Sequence, residues 1–233
     1  EGKTDSTPDP AMIDMFNAMV DEMFDYGRFI LNSKRENPSE DLLSAIANAE
    51  IEGEKLSQEF LDGSWLLIIF AGNDTTRNTL SGGIKLLYDN QKQKELLIDD
   101  LELLPNFVNE TVRCVSPVIH MRRTTLEETE INGQKIGPRE KIALWYGAAN
   151  RDPEIFENPD DFNILRENAD KHLAFGFGRH SCIGKPVALM QLQEFYSQFL
   201  TRFPDFEMNG KWKVAPNNFV HAIQEMPIKF SPR

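Results

Sequence analysis

The sequence predicts a mainly helical fold with small β-sheets, α+β in class, on three observations. Apolar residues recur three and four apart over residues 12–34, 58–88, 101–115 and 183–200, the spacing of one helical face. Strand-like runs at 118–125, 129–136 and 141–146 surround Asn132-Gly133, a tight-turn signal. With 233 residues and 40% hydrophobic content, the chain can bury one sizeable core, which predicts one domain or most of a larger one.

In chain order, residues 1–9 are polar and proline-bearing and read as a fraying or cut end. Met12, Met15, Phe16, Met19, Met23 and Phe24 then form a helical stripe whose expected place is the core, with a mobile methionine-rich lid as the alternative. Ser39-Glu40-Asp41 opens a short helix that ends near Glu50, and Glu52-Gly53 closes it with a turn. Ser57 reads as the N-cap of the long helix over about 57–88. Within that helix Gly72-Asn73-Asp74-Thr75-Thr76 are modest or poor helix formers at a position that should be buried. Such disagreement between local preference and global pattern tends to mark a functional site. On the residues alone, Asp74 and the threonines read as facing solvent or capping a kink by bonding the preceding turn's carbonyls.

Residues 101–115 form the next helix, in which Glu110 and Arg113 share a face. Pro117 ends it, and a small mixed sheet over about 118–147 follows. Residues 150–168 hold Asp152-Pro153 and Asn158-Pro159 with little periodicity, so they read as an irregular loop. A helix over about 183–201 is broken by Phe203-Pro204-Asp205, and short strands between 206 and 230 finish the chain.

Chemistry concentrates in residues 172–191, HLAFGFGRHSCIGKPVALMQ. Gly176, Gly178 and Gly184 let the backbone approach a bulky flat ligand, so the loop can wrap a planar cofactor. Cys182 lies at or just before a helix N-terminus, where free N–H groups favour an anionic sulfur, and Arg179 and Lys185 add positive charge. A ligand thiolate at Cys182 would therefore be stabilised. The rival patterns fail on register: a GxGxxG fingerprint needs glycine at Ser181, and a phosphate loop begun at Gly178 needs glycine at Ile183. Two cysteines and four histidines do not supply a zinc motif. A buried structural thiol and Cys–His nucleophilic catalysis stay open at this point.

Residues 175–184, FGFGRHSCIG, resemble the haem-binding loop FGxGxHxCxG of the cytochrome P-450 monooxygenases in their soluble bacterial form. Residues 71–76, AGNDTT, resemble that family's oxygen-activation motif, and Glu110 and Arg113 resemble its ExxR pair. The resemblance covers nearly the whole chain. It implies the C-terminal part of a single cytochrome P-450 domain, residues 1–233, beginning inside the fold so that preceding helices are absent. It also implies haem b, iron protoporphyrin IX, as cofactor. Cys182 would be the iron ligand, with Ala71, Thr75, Phe175, Gly176 and Gly184 around the haem and Arg122 and His180 on its propionates; His120 is a further candidate there. Asp74 and Thr75 would relay protons, while Glu110 and Arg113 would be a structural ion pair. Leu67, Phe70, Ala71, Val118, Phe219 and Val220 match the substrate wall.

The implied activity is haem-thiolate monooxygenation: dioxygen is activated and a C–H bond of an apolar substrate hydroxylated. Residues 72–78 and 120–124 look most like bacterial hydroxylases of alkanes, fatty acids, terpenoid alcohols or sterol side chains. The chain shows no flavin or nicotinamide signature, so a ferredoxin- or flavodoxin-type donor beside Arg179 and Lys185 is expected. A haem-binding but catalytically incompetent fragment, and a haem-thiolate peroxygenase or isomerase, are the alternatives. A net charge of −12, from 25 basic and 37 acidic residues, argues against nucleic acid as a partner. The longest apolar run, residues 65–71, is too short to span a membrane, and with no leader-like segment a soluble cytoplasmic protein is expected.

Overall fold

The computed structural model describes residues 9–231; positions 1–8, most of the stretch expected to fray, lie outside them. By its packing the chain divides into two units, one ending at Ala71 and one beginning at Gly72.

In the first unit, helix α1 (Pro10–Glu36) starts where Asp9 accepts the Ala11 N–H at 3.0 Å and Pro10 occupies the first turn. Helix α2 (Leu42–Asn48) begins later than Ser39 because Asp41 supplies the cap, accepting the Ser44 N–H at 2.8 Å. Strands β1 (Glu50–Ile51) and β2 (Glu54–Lys55) form a hairpin, turning through Glu52 and Gly53 at positive φ. Helix α3 (Gln58–Asp89) follows, with the Ser57 hydroxyl accepting the Phe60 N–H at 3.2 Å. Leu31, Ala47, Leu61 and Trp65 make the core of this unit. A Cβ on Gly27 would lie 2.5 Å from the Trp65 ring, so only glycine permits that approach.

The expected core role of the α1 stripe holds at Met23, which packs against this core, and fails over the first half of the helix. Met12, Met15, Phe16 and Met19 are exposed, and of α1 only Gly27 and Leu31 are buried. The reason is reach: α2 and the first turns of α3 cover only the second half of α1.

In the second unit, helix α4 (Gln91–Asp99), which the sequence reading missed, precedes a 3-10 turn at Leu101–Leu103 and helix α5 (Leu104–Val115). Strands β3 (His120–Thr124) and β6 (Lys141–Trp145) pair antiparallel, as do β4 (Thr129–Ile131) and β5 (Gln134–Ile136) across Asn132-Gly133, both at positive φ. The short helix α6 (Tyr146–Ala149) leads into the irregular segment, and helix α7 (Lys185–Arg202) follows the cysteine loop. Strand β7 (Glu207–Met208) pairs with β10 (Ile228–Lys229), and β8 (Lys213–Ala215) with β9 (Ala222–Glu225). The expected mixed sheet is thus corrected to antiparallel pairs of two strands.

The core of this unit gathers Leu87, Leu97, Phe107, Val108, Leu192, Tyr196, Leu200 and Phe206. The second half of α3 packs closely because Gly82 and Gly83 leave room: a Cβ on Gly83 would fall 2.1 Å from the Tyr196 hydroxyl, and one on Gly82 2.6 Å from Val115. Tyr196 then donates to the Leu80 carbonyl at 2.8 Å. Among the described residues, no helix is long and apolar enough to cross a membrane.

Candidate active site

The cysteine loop folds on its own backbone. Cys182 N–H donates to the Phe175 carbonyl at 2.8 Å, and Gly178–His180 form a 3-10 turn between them. Gly176 has φ +71°, and a Cβ there would come 2.9 Å from the His180 carbonyl oxygen, so both conformation and space require glycine. α7 starts at Lys185 with Pro186 in its first turn, which leaves Cys182 just ahead of the helix. A Cβ on Gly184 would sit 3.8 Å from the Cys182 sulfur. The sulfur is exposed, and its apolar neighbours Phe177 and Ile183 are 85% and 79% exposed. The Lys185 ammonium lies 5.5 Å over the Phe175 ring.

Behind the loop lies a buried ionic knot. Glu110 and Arg113 are wholly buried and paired in two parallel bonds, Nε to Oε2 at 2.7 Å and a terminal nitrogen to Oε1 at 2.8 Å. Oε1 also accepts from the Asn163 N–H at 3.0 Å and from Arg166 Nε at 3.1 Å. Arg113 spends its remaining donors on the carbonyls of Asn150, Pro159 and Asp161. Burial works against the Arg113 charge, but the Glu110 bond carries its pKa above the usual arginine value. Asn150 passes this order to the cysteine loop: Nδ2 donates to the Ser116 hydroxyl at 2.8 Å, and Oδ1 accepts the Leu173 N–H at 2.6 Å.

On α3, Asp74 and Thr75 are half-buried, and Asp74 forms an ion pair with Arg77 one turn on. Asn73, Thr76 and Arg77 instead help line an open groove of about 670 Å³ against Met190 and Phe195 of α7. A Cβ on Gly72 would meet nothing within 4 Å. On β3 the two-residue period puts His120 and Arg122 on one face, with Arg122 exposed and Arg123 half-buried. The His120 ring lies 4.9 Å from the Trp145 ring, tilted to it by 53°, and its Nδ1 is buried without a partner among the described residues. His180 is exposed. Of the residues matched to a substrate wall, Leu67, Phe70 and Ala71 are exposed in the first unit. In the second, Val118 and Phe219 are half-buried and Val220 is buried where it bridges Val118.

These residues fit a haem. One accessible sulfur stands among exposed apolar side chains on a loop without bulk at Gly176 and Gly184. An orphaned buried imidazole nitrogen lies on the same strand face as a cation without a carboxylate partner among the described residues, as an anionic propionate requires.

The family model for cytochrome P450 matches residues 8–230. The chain belongs to the cytochrome P-450 family. It is 35% identical over 223 residues to a steroid C26-monooxygenase of Mycolicibacterium smegmatis, covering 95% of this chain and 54% of that protein. It is 35% identical over 215 residues to a linalool 8-monooxygenase of Pseudomonas putida, covering 92% of this chain and 53% of the relative. The crystal structure of CYP108D1 from Novosphingobium aromaticivorans superposes with a TM-score of 0.87 at 31% identity, over 96% of this chain and 54% of that one. The chain thus spans about half the length of the relatives it matches. The P-450 fold is mainly helical with small sheets, as expected from sequence, and the family's cofactor is haem.

Four residues of this candidate site were not singled out by the sequence. Arg166 and Asn150 complete the ionic knot, Asn78 is buried beside the Asp74 turn, and His172 is buried at the loop entrance with Nε2 unpartnered. A signal existed for His172, which opens the loop sequence. Asn78 closes the matched stretch 72–78, whereas Arg166 and Asn150 reveal themselves only through contacts distant in sequence.

Proposed function

We propose that this chain is the C-terminal part of a single cytochrome P-450 domain holding haem b. Its function is the hydroxylation of an apolar substrate of alkane, fatty-acid, terpenoid or sterol side-chain type. The observation that carries the reading is Cys182, accessible at the mouth of a glycine-built loop just ahead of a helix. That the relatives are named for steroid and linalool oxidation supports an apolar substrate.

When bound, haem supplies dioxygen activation and transfer of one oxygen atom to a C–H bond. Cys182 would hold the iron as thiolate, its charge raising electron density there. Asp74, paired with Arg77, would take protons from solvent, and Thr75 would pass them toward the haem face. Arg122, His180 and His120 would hold the propionates, while Phe175, Gly176, Gly184 and Ala71 border the ring. Glu110 and Arg113 keep the loop's underside rigid and touch no reactant. Phe70, Leu67, Val118, Phe219 and Val220 would form the apolar wall. Electrons would come from a ferredoxin- or flavodoxin-type donor docking beside exposed Arg179, in the cytoplasm.

Haem-loaded protein supplied with such a donor, isotope-labelled dioxygen and a medium-chain alkane or a sterol should give an alcohol carrying one labelled atom. Haem reduction without labelled product would instead support binding without turnover.

A further inference from the structure

Asn78 is 1% exposed and uses both ends of its amide. Nδ2 donates to the Asp74 carbonyl at 2.8 Å, and Oδ1 accepts the Ile223 N–H of β9 at 2.7 Å. The alternative amide orientation would set donor against donor and acceptor against acceptor, so the two partners fix it. One residue on, the Thr79 hydroxyl donates to the Thr75 carbonyl at 2.8 Å. The carbonyls of both proton-relay residues are therefore held by side chains one turn below.

The other end of the clamp leads to the substrate side. Upstream of Ile223, the Phe219 carbonyl accepts the Ile119 N–H at 2.8 Å and His221 N–H donates to the Pro117 carbonyl at 2.9 Å. Asn217 Oδ1 accepts the Phe219 and Val220 N–H groups. This loop is thus fixed to residues 117–119 on one side and to α3 on the other. The β8–β9 pair gives it little more, being short and irregular between Lys213 and Val214.

We infer that Asn78 is a positioning residue that fastens the loop carrying Phe219 and Val220 to the helix turn carrying Asp74 and Thr75. Movement of that loop by a bulky substrate is then felt at the Asp74 peptide through one buried amide. The inference rests on the proposed roles of Phe219 and Asp74 and deepens them. It states how occupancy of the substrate wall is coupled to proton delivery.

Residue-resolved amide hydrogen exchange of the whole chain tests the link without haem. Asn78→Ala should speed exchange at Ile223 and at positions 78 and 79 by about tenfold, with Leu192 and Leu200 unchanged. Asn78→Asp keeps an acceptor for Ile223 and loses the donor to Asp74, so beyond any general speeding from its buried charge the helix amides should quicken more than Ile223. Unchanged Ile223 exchange in Asn78→Ala, or equal acceleration including Leu192, would overturn the clamp. In haem-loaded protein Asn78→Ala should also release more hydrogen peroxide per alcohol formed, with the carbon monoxide spectrum intact. An unchanged ratio would overturn the coupling. Failure to take up haem at all would sink the proposed function, and the exchange data would still judge the clamp.

Discussion

The two cysteines show how far environment separates chemically identical side chains. Burial, reinforced by the Glu110 carboxylate, pushes the Cys114 thiol up to about 11, whereas Cys182 is exposed. Iodoacetamide at neutral pH should therefore alkylate Cys182 first and Cys114 only on unfolding, as peptide mapping would show; equal rates would refute the assigned environments. His172 behaves as a buried neutral imidazole. Burial, then the Lys185 charge, lowers its pKa from 6.5 to about 4. The unfolded chain binds the proton more readily between those values, so stability is whole above pH 6.5 and falls as pH drops toward 4. The loss amounts to roughly 3 kcal/mol over that window. His172→Phe should flatten that part of the pH profile in urea unfolding, and an unchanged slope would show that His172 is not its source.

At the scale of elements, Glu110 on α5 is the centre of the loop's support. Glu110→Ala leaves Arg113 and Arg166 as buried cations without their carboxylate and should cost about 3–5 kcal/mol. A midpoint of urea unfolding shifted by less than a fifth of the wild-type value would contradict this. The sequence made part of this scale legible. Ser57 as a cap and Asn132-Gly133 as a turn are local signals, and both are seen in the structure. Helix α4 was not legible because its buried face includes Lys94, whose ammonium reaches the Phe206 carbonyl at 3.1 Å and lies 4.0 Å over that ring. A lysine reads as solvent-facing until that partner 112 residues away is known. The α1 stripe misled in the opposite sense, since helical periodicity names an apolar face without saying what covers it. Arg166 and Asn150 were missed for the same reason as Lys94, their partners being remote in sequence.

For the whole molecule, the glycine-cysteine loop, the acid–alcohol turn and the buried Glu–Arg pair occur in family order on one chain, and the ionic knot and Asn150 connect the pair to the loop physically. The central claim is that Cys182 is the iron ligand. Its most direct test is the carbon monoxide difference spectrum of the reduced, haem-loaded protein beside Cys182→Ala. A red-shifted thiolate band in the wild type that disappears in the variant is the predicted result; the same band persisting in Cys182→Ala would contradict it.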